Sequence, residues 1–264
     1  MGLLHPLCFF FCLVVSLSAK NQQNCTRNQT STVHKCNPIA RELESYWQKY
    51  SYTVTNLKFY QKVEETCDRA INCYKSTQCD ENQEYIKQVS EKCHYMIHGF
   101  NERKECLVKF MKDVRLAKNM DPDSCLANYE FLEKNSARKR SAYNEGKYCF
   151  LHYVDEICSE IALHYFSTRY ENFVNTISAT PDVYNCQDEH HVLNSYLCVA
   201  QAEETNAEIE NMTALRVFFH LTNVKKTYKL CKNTQICFAE HKCVFNTHEM
   251  MIFGKKCDDL EKRF

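Results

Sequence analysis

The chain is expected to fold as an all-α protein: disulfide-stapled helical domains built by tandem duplication of one module. Three observations predict this. Beyond residue 19 there are only three glycines and three prolines, too few for a hairpin-rich β fold. Apolar residues recur at helical spacing in one segment after another. Sixteen cysteines, an even number, follow a leader that would deliver them to an oxidising compartment.

The leader, "MGLLHPLCFFFCLVVSLSAK", has an apolar run from Leu7 to Val15 and small residues from Ser16 to Ala19. It resembles a secretory signal peptide over residues 1–19, cleaved after Ser18 or Ala19. The run is shorter than the roughly 18 residues that a spanning helix needs, and no later run approaches that length, so no stable membrane insertion is expected. The expected location is extracellular. Lysine plus arginine equals aspartate plus glutamate, 33 each, so no net field draws the chain to nucleic acid or anionic lipid.

Cys8 and Cys12 leave with the leader. The sixteen that remain are expected in disulfides: Cys25, Cys36, Cys67, Cys73, Cys79, Cys93, Cys106, Cys125, Cys149, Cys158, Cys186, Cys198, Cys231, Cys237, Cys243 and Cys257. Structural zinc sites use close cysteine pairs, and no C-x-x-C occurs here, so no metal or other cofactor is expected. Three sequons fit secretion, at Asn24, Asn28 and Asn211. Asn24 directly precedes Cys25, where early disulfide formation competes with glycosylation.

The duplication is written in spacing. "CDRAINCYKSTQC" (67–79) and "CKNTQICFAEHKC" (231–243) share three cysteines in the pattern C-x5-C-x5-C. Upstream, the interval from Cys25 to Cys36 is one residue shorter than that from Cys186 to Cys198. The next interval, Cys36 to Cys67, is nearly matched by Cys198 to Cys231. Downstream, Cys79 to Cys93 and Cys243 to Cys257 are equal in length. Leu57 aligns with Leu221, Tyr74 with Phe238 and Lys92 with Lys256. The expected domains are residues 20–178, with ten cysteines, and a shortened copy over 179–264, with six. If the second copy folds as a unit, its six cysteines close among themselves. The equivalent six of the first then do the same, and Cys106, Cys125, Cys149 and Cys158 form a separate set.

Each proline beyond residue 19 follows a good N-cap residue, at Asn37, Asp121 and Thr180, which predicts three helix starts. Helical stripes run through Ile39, Leu43, Tyr46, Trp47 and Tyr50, and through Val54, Leu57, Tyr60, Val63 and Cys67. Others run through Tyr85, Ile86, Val89, Cys93, Met96 and Ile97, and through Leu107, Phe110, Met111 and Val114. A last stripe holds Tyr153, Ile157, Ile161 and Tyr165. Cysteines fall on or beside these stripes, so a bridge ties one helix face to its neighbour.

Early paired cysteines, C-x5-C-x5-C and a later "GFNERKEC" resemble a nematode-expanded family of secreted cysteine-rich proteins, domain of unknown function number nineteen. The resemblance spans Cys25 to about Cys158, with Cys186 to Cys257 as a shortened second copy. It implies a signal peptide, a mainly helical disulfide-bonded domain and no established activity or catalytic residues.

Chemistry is sparse. "DEHH", Asp188 to His191, is the strongest catalytic candidate by composition, but adjacent histidines do not form the i, i+4 pair of H-E-x-x-H. A polar helix start at the surface is expected there. Secreted phospholipase A2 is similar in size and composition, yet its cysteine-flanked His-Asp motif and glycine-rich calcium loop are absent. No G-x-S-x-G, P-loop or EF-hand loop occurs. No catalytic residue is assigned, and the chain is expected not to be an enzyme. "SARKRSA" (136–142) offers a convertase site after Arg140, but a solvated basic segment is the favoured expectation. The expected function is a secreted scaffold that binds an extracellular protein partner. Carriage of a lipid or other apolar ligand between helices is the alternative.

Overall fold

The computed structural model describes residues 27–50, 56–76, 80–180, 186, 189–211, 221–245 and 247–262. The signal-peptide stretch, Asn24, Cys25, Val54, Cys79 and Asp188 lie outside them, as does the side chain of Asn28. Within the described residues there are eleven helices and no strand, so the molecule is all-α. The chain divides into two compact units between Phe100 and Asn101. That division differs from the one expected at 178/179, because the helix following residue 178 packs on helices that precede it.

The first unit holds α1 (Arg27–Lys49), α2 (Leu57–Lys75) and α3 (Asp80–His98), with α2 packed on both of the others. Asn56 starts α2 by accepting a hydrogen bond from the Phe59 N–H at 3.1 Å. The face of α2 that is buried carries Tyr60, Val63, Thr66, Cys67, Ala70 and Tyr74, which follow the helical period. Against it lie Cys36 and Leu43 from α1, and Val89, Cys93 and Met96 from α3. The Tyr60 hydroxyl donates to the Ile97 carbonyl at 3.1 Å, which satisfies a buried polar group and fixes the end of α3. Tyr85, expected on the stripe of α3, is half exposed and stacks on Tyr74 instead.

Pro38 and Pro122 do not start helices, and Pro181 lies outside the described residues. Pro38 lies inside α1, where Cys36 and Leu43 keep the helix in register at the loss of one backbone hydrogen bond. Pro122 sits in the turn after α4, and it is Ser124 that caps the next helix, accepting from the Leu126 N–H at 3.3 Å. Beyond Thr180 the next described helix begins at Glu189. An N-cap residue followed by proline also suits a turn, and tertiary packing decided among the alternatives.

The second unit holds α4 (Asn101–Met120), α5 (Cys125–Asn128), α6 (Ser136–Glu145), α7 (Lys147–Ile157) and α8 (Glu160–Ile177). It continues with α9 (Glu189–Asn211), α10 (Leu221–Glu240) and α11 (Thr247–Glu261). Helix α4 is central, packing on α5, α7, α8 and α9 through Leu107, Phe110, Met111 and Val114. The stripe expected after Cys149 breaks at Cys158, and Ser159 caps α8 by accepting from the Ala162 N–H. Ile157, at this break, is exposed. Fully buried Phe110, Phe131, Tyr143, Phe150, Phe166 and Phe173 form the core, mostly edge to face. At Gly146, between α6 and α7, a Cβ would lie 2.5 Å from Cζ of Phe131, so glycine is needed for the ring to approach.

Two substitutions test this core. The Tyr143 hydroxyl is buried without a hydrogen-bond partner among the described residues. Tyr143→Phe is therefore expected to raise the melting temperature, by about 1 kcal/mol of stability. Gly146→Ala is expected to cost roughly 1–3 kcal/mol through overpacking against Phe131. Denaturant unfolding of both variants checks the two signs. A destabilised Tyr143→Phe would mean that the hydroxyl has a partner after all.

Candidate functional site

Among the described residues seven disulfides set the geometry on which any site is displayed. In the first unit Cys36 joins Cys73 and Cys67 joins Cys93. In the second, Cys106 joins Cys158, Cys125 joins Cys149, Cys186 joins Cys243, Cys198 joins Cys237 and Cys231 joins Cys257. Two pairs correspond by spacing: 36–73 with 198–237, and 67–93 with 231–257. The four cysteines from 106 to 158 pair only with each other, and the six from 186 to 257 close among themselves.

The correspondence extends to burial. Tyr60, Val63, Cys67, Ala70 and Tyr74 of α2 match Val224, Thr227, Cys231, Thr234 and Phe238 of α10, and all ten are buried. Val89, Cys93 and Met96 of α3 match Phe253, Cys257 and Leu260 of α11, again all buried. Lys92 pairs with Glu44, while Lys256 donates at 2.8 Å to Asn206, the residue at Glu44's position. Leu43 and Ala70 are replaced by Thr205 and Thr234, whose hydroxyl oxygens lie 3.4 Å apart while each donates to its own helix.

The polar site lies within the second unit and is built from the two motifs that the sequence left unexplained. Arg103 is buried on α4 and donates to the Tyr165 hydroxyl at 2.9 Å and to the carboxylate of Glu189, the first residue of α9. Burial alone would pull Arg103 down, but Tyr165, Glu189 and Tyr196 hold it charged, above its ordinary value. This anchor draws the start of α9 inward. His190 and His191 are therefore each only 7 % exposed, and the expected surface helix start is instead a buried one. The His190 Nδ1 lies 3.0 Å from the Thr176 carbonyl, which can only accept, so that nitrogen carries the proton.

One turn along α9, Asn194 is fixed by donating its amide to the carbonyls of Ile177 (3.1 Å) and His190 (2.9 Å). Its oxygen accepts from the Lys139 ammonium of α6. Burial lowers Lys139 to about 8, partly offset by Glu133. Across the pocket stands His241, just past α10. Burial lowers its pKa too; Glu240 opposes the change, while Lys139, His190 and His191 add to it. The pocket holds about 220 Å³ and rests on Leu132, Ile177 and Leu197. At its rim Lys134 pairs with Glu240 at 2.8 Å.

Sequence reasoning named His190 but not Lys139, Asn194 or His241, which come from α6, α9 and the end of α10, well separated along the chain. The basic stretch around Lys139 was singled out for Arg140. That residue lies in α6, with its Nε donating to Ser178 at 3.1 Å. Cys198 and Cys237 come within ligating distance of His241, but their sulfurs are bonded to each other and offer no thiolate to a metal.

A separate cleft of about 570 Å³ lies within the first unit, lined by Leu43, Tyr74, Tyr85 and Val89 together with Arg41, Glu44 and Lys92.

Two outcomes follow from this geometry. Proteases need an extended substrate, so a dibasic-directed convertase is expected to leave the bond after Arg140 intact in the folded protein; a single cut there, seen by mass spectrometry, would refute it. Lys139 holds its proton less tightly folded, at about 8, than unfolded, at 10.5. The unfolded state then binds more protons between those values, and stability rises with pH across them. Melting curves of wild type and Lys139→Gln are expected to diverge there in favour of wild type, and parallel curves would contradict it.

Comparison with known proteins places the chain in sequence space. A family model described as a domain of unknown function, DUF19, matches residues 25–187, more than half of the chain. No curated protein and no solved structure matches it.

Proposed function

This chain belongs to the DUF19 family, and from that premise we propose a secreted, glycosylated, non-enzymatic scaffold that binds an extracellular protein partner. In this reading residues 1–19 are the signal peptide and Asn24, Asn28 and Asn211 the glycan acceptors. Asn211 supports it by lying exposed at the last position of α9.

The scaffold is a six-cysteine, three-helix module present twice, at 25–93 and 186–257, around a four-cysteine insert. The observation that carries this is the shared pairing: two disulfides of the first copy have partners at equivalent spacing in the second, and the buried positions between them keep the same register. The family match stops just after Cys186, so the second copy lies outside it. Exposed apolar side chains on the packed helices α10 and α11, Ile236, Met251 and Ile252, fit a partner-binding surface. Two related modules also permit bivalent engagement, which raises avidity without new contacts. The alternative, carriage of an apolar ligand, draws on the cleft of the first unit. Its size suits a small ligand, although its charged walls suit an amphipathic better than a wholly apolar one.

Non-reducing peptide mapping of the secreted protein is the test. By register with Cys186–Cys243, the expected map joins Cys25 to Cys79, keeps Cys186 to Cys257 closed among themselves and begins at residue 19 or 20. Bridges linking the six cysteines of one copy to those of the other would overturn the duplicated scaffold.

A further inference from the structure

The pocket between α6, α8, α9 and the end of α10 presents the Lys139 ammonium and two imidazoles above an apolar floor, with a second ammonium, Lys134, at its rim paired to Glu240. We propose that it binds a small carboxylate with a short hydrocarbon tail, the carboxylate on Lys139 and the tail on Leu132, Ile177 and Leu197.

Charge balance argues for an anion. The rim cation Lys134 already has Glu240 at 2.8 Å. Lys139 has no carboxylate within ion-pair distance among the described residues; its partner is the Asn194 amide oxygen, held in place by the two hydrogen bonds of the Asn194 nitrogen. An ammonium has three donors, so a carboxylate can join without displacing Asn194. His190 and His241 line the same wall, and the His241 Nδ1 is buried without a hydrogen-bond partner among the described residues, leaving a polar atom to meet an incoming ligand. Burial of the Lys139 amine outweighs the attraction of Glu133, so the ammonium is under-compensated where it stands, and an incoming carboxylate in direct contact offsets that cost.

Size and floor narrow the class. At ~30 Å³ of liquid volume per water-sized group, 220 Å³ holds roughly seven non-hydrogen atoms. That suits a short-chain acid better than a whole lipid. Inorganic anions fill the polar end alone and leave Leu132, Ile177 and Leu197 wet. The chemistry is met either by a free acid or by a chain terminus with an apolar last residue.

Isothermal titration of the full secreted protein with hexanoate and with N-acetyl-glycyl-leucine tests both sources, with hexylamine as the cationic control. Binding of either carboxylate and not of hexylamine supports the site and identifies the source. Affinity is expected to fall roughly tenfold or more between about pH 7 and about pH 9.5, as Lys139 loses its proton. Lys139→Gln should lose roughly tenfold or more at neutral pH while keeping its helical circular dichroism, and Lys139→Arg should retain part of it. The pH profile of the wild type needs no variant to fold. No binding of either carboxylate, equal binding of hexylamine, or affinity flat across that pH range would each overturn the proposal.

Discussion

The fold depends on where each cysteine sits on its helix. Cys36, Cys67, Cys93, Cys198, Cys231 and Cys257 are almost wholly buried, each on the apolar face of its element. A disulfide constrains a helix's rotation about its axis as well as its position, because it joins Cα atoms only 5.5 to 5.8 Å apart. Closing loops of 24 to 57 residues contributes roughly 3–4 kcal/mol per bridge in the chain-entropy model. The first unit buries Tyr60, Tyr74, Phe100, Leu43 and Met96 in a core of only three helices, and the covalent ties add to what so small a unit can provide.

The insert between the proposed copies is stabilised differently. Two disulfides close it, but its interior is a continuous aromatic cluster from Phe110 to Phe173, with Gly146 giving Phe131 room to enter. This rigid centre holds α4, and α4 in turn holds α9 through Arg103 and Glu189. The consequence reaches the pocket. Because the first turn of α9 is pulled inward, His190 and Asn194 face Lys139 and His241 rather than solvent. The polar wall is thus a product of packing in the insert as much as of its own residues.

Much of the fold was legible before any coordinates. The stripes on α2 and α4 correspond to buried faces, since a helical period leaves little choice of which side an amphipathic helix buries. Tyr85 and Ile157 break the pattern because they sit near helix ends, where the apolar face runs out of neighbours. The prolines misled because Pro38 and Pro122 satisfy the same local rule as a helix start while sitting within a helix and in a turn. The candidate site was mostly illegible. "DEHH" drew notice by composition, yet its partner Lys139 belongs to α6 and His241 follows α10, and no local signal links them.

By itself, the sequence determined the helical class, the even set of cysteines and the spacing series that relates 67–93 to 231–257, because periodicity and covalent chemistry are local or countable properties. Tertiary structure alone decided which cysteines meet, where the compact units divide, and that an ammonium, an amide and two imidazoles share one small pocket. Those outcomes depend on which helix faces pack together. That is a sum over many weak contacts between residues distant in the chain, and no single stretch of sequence records it.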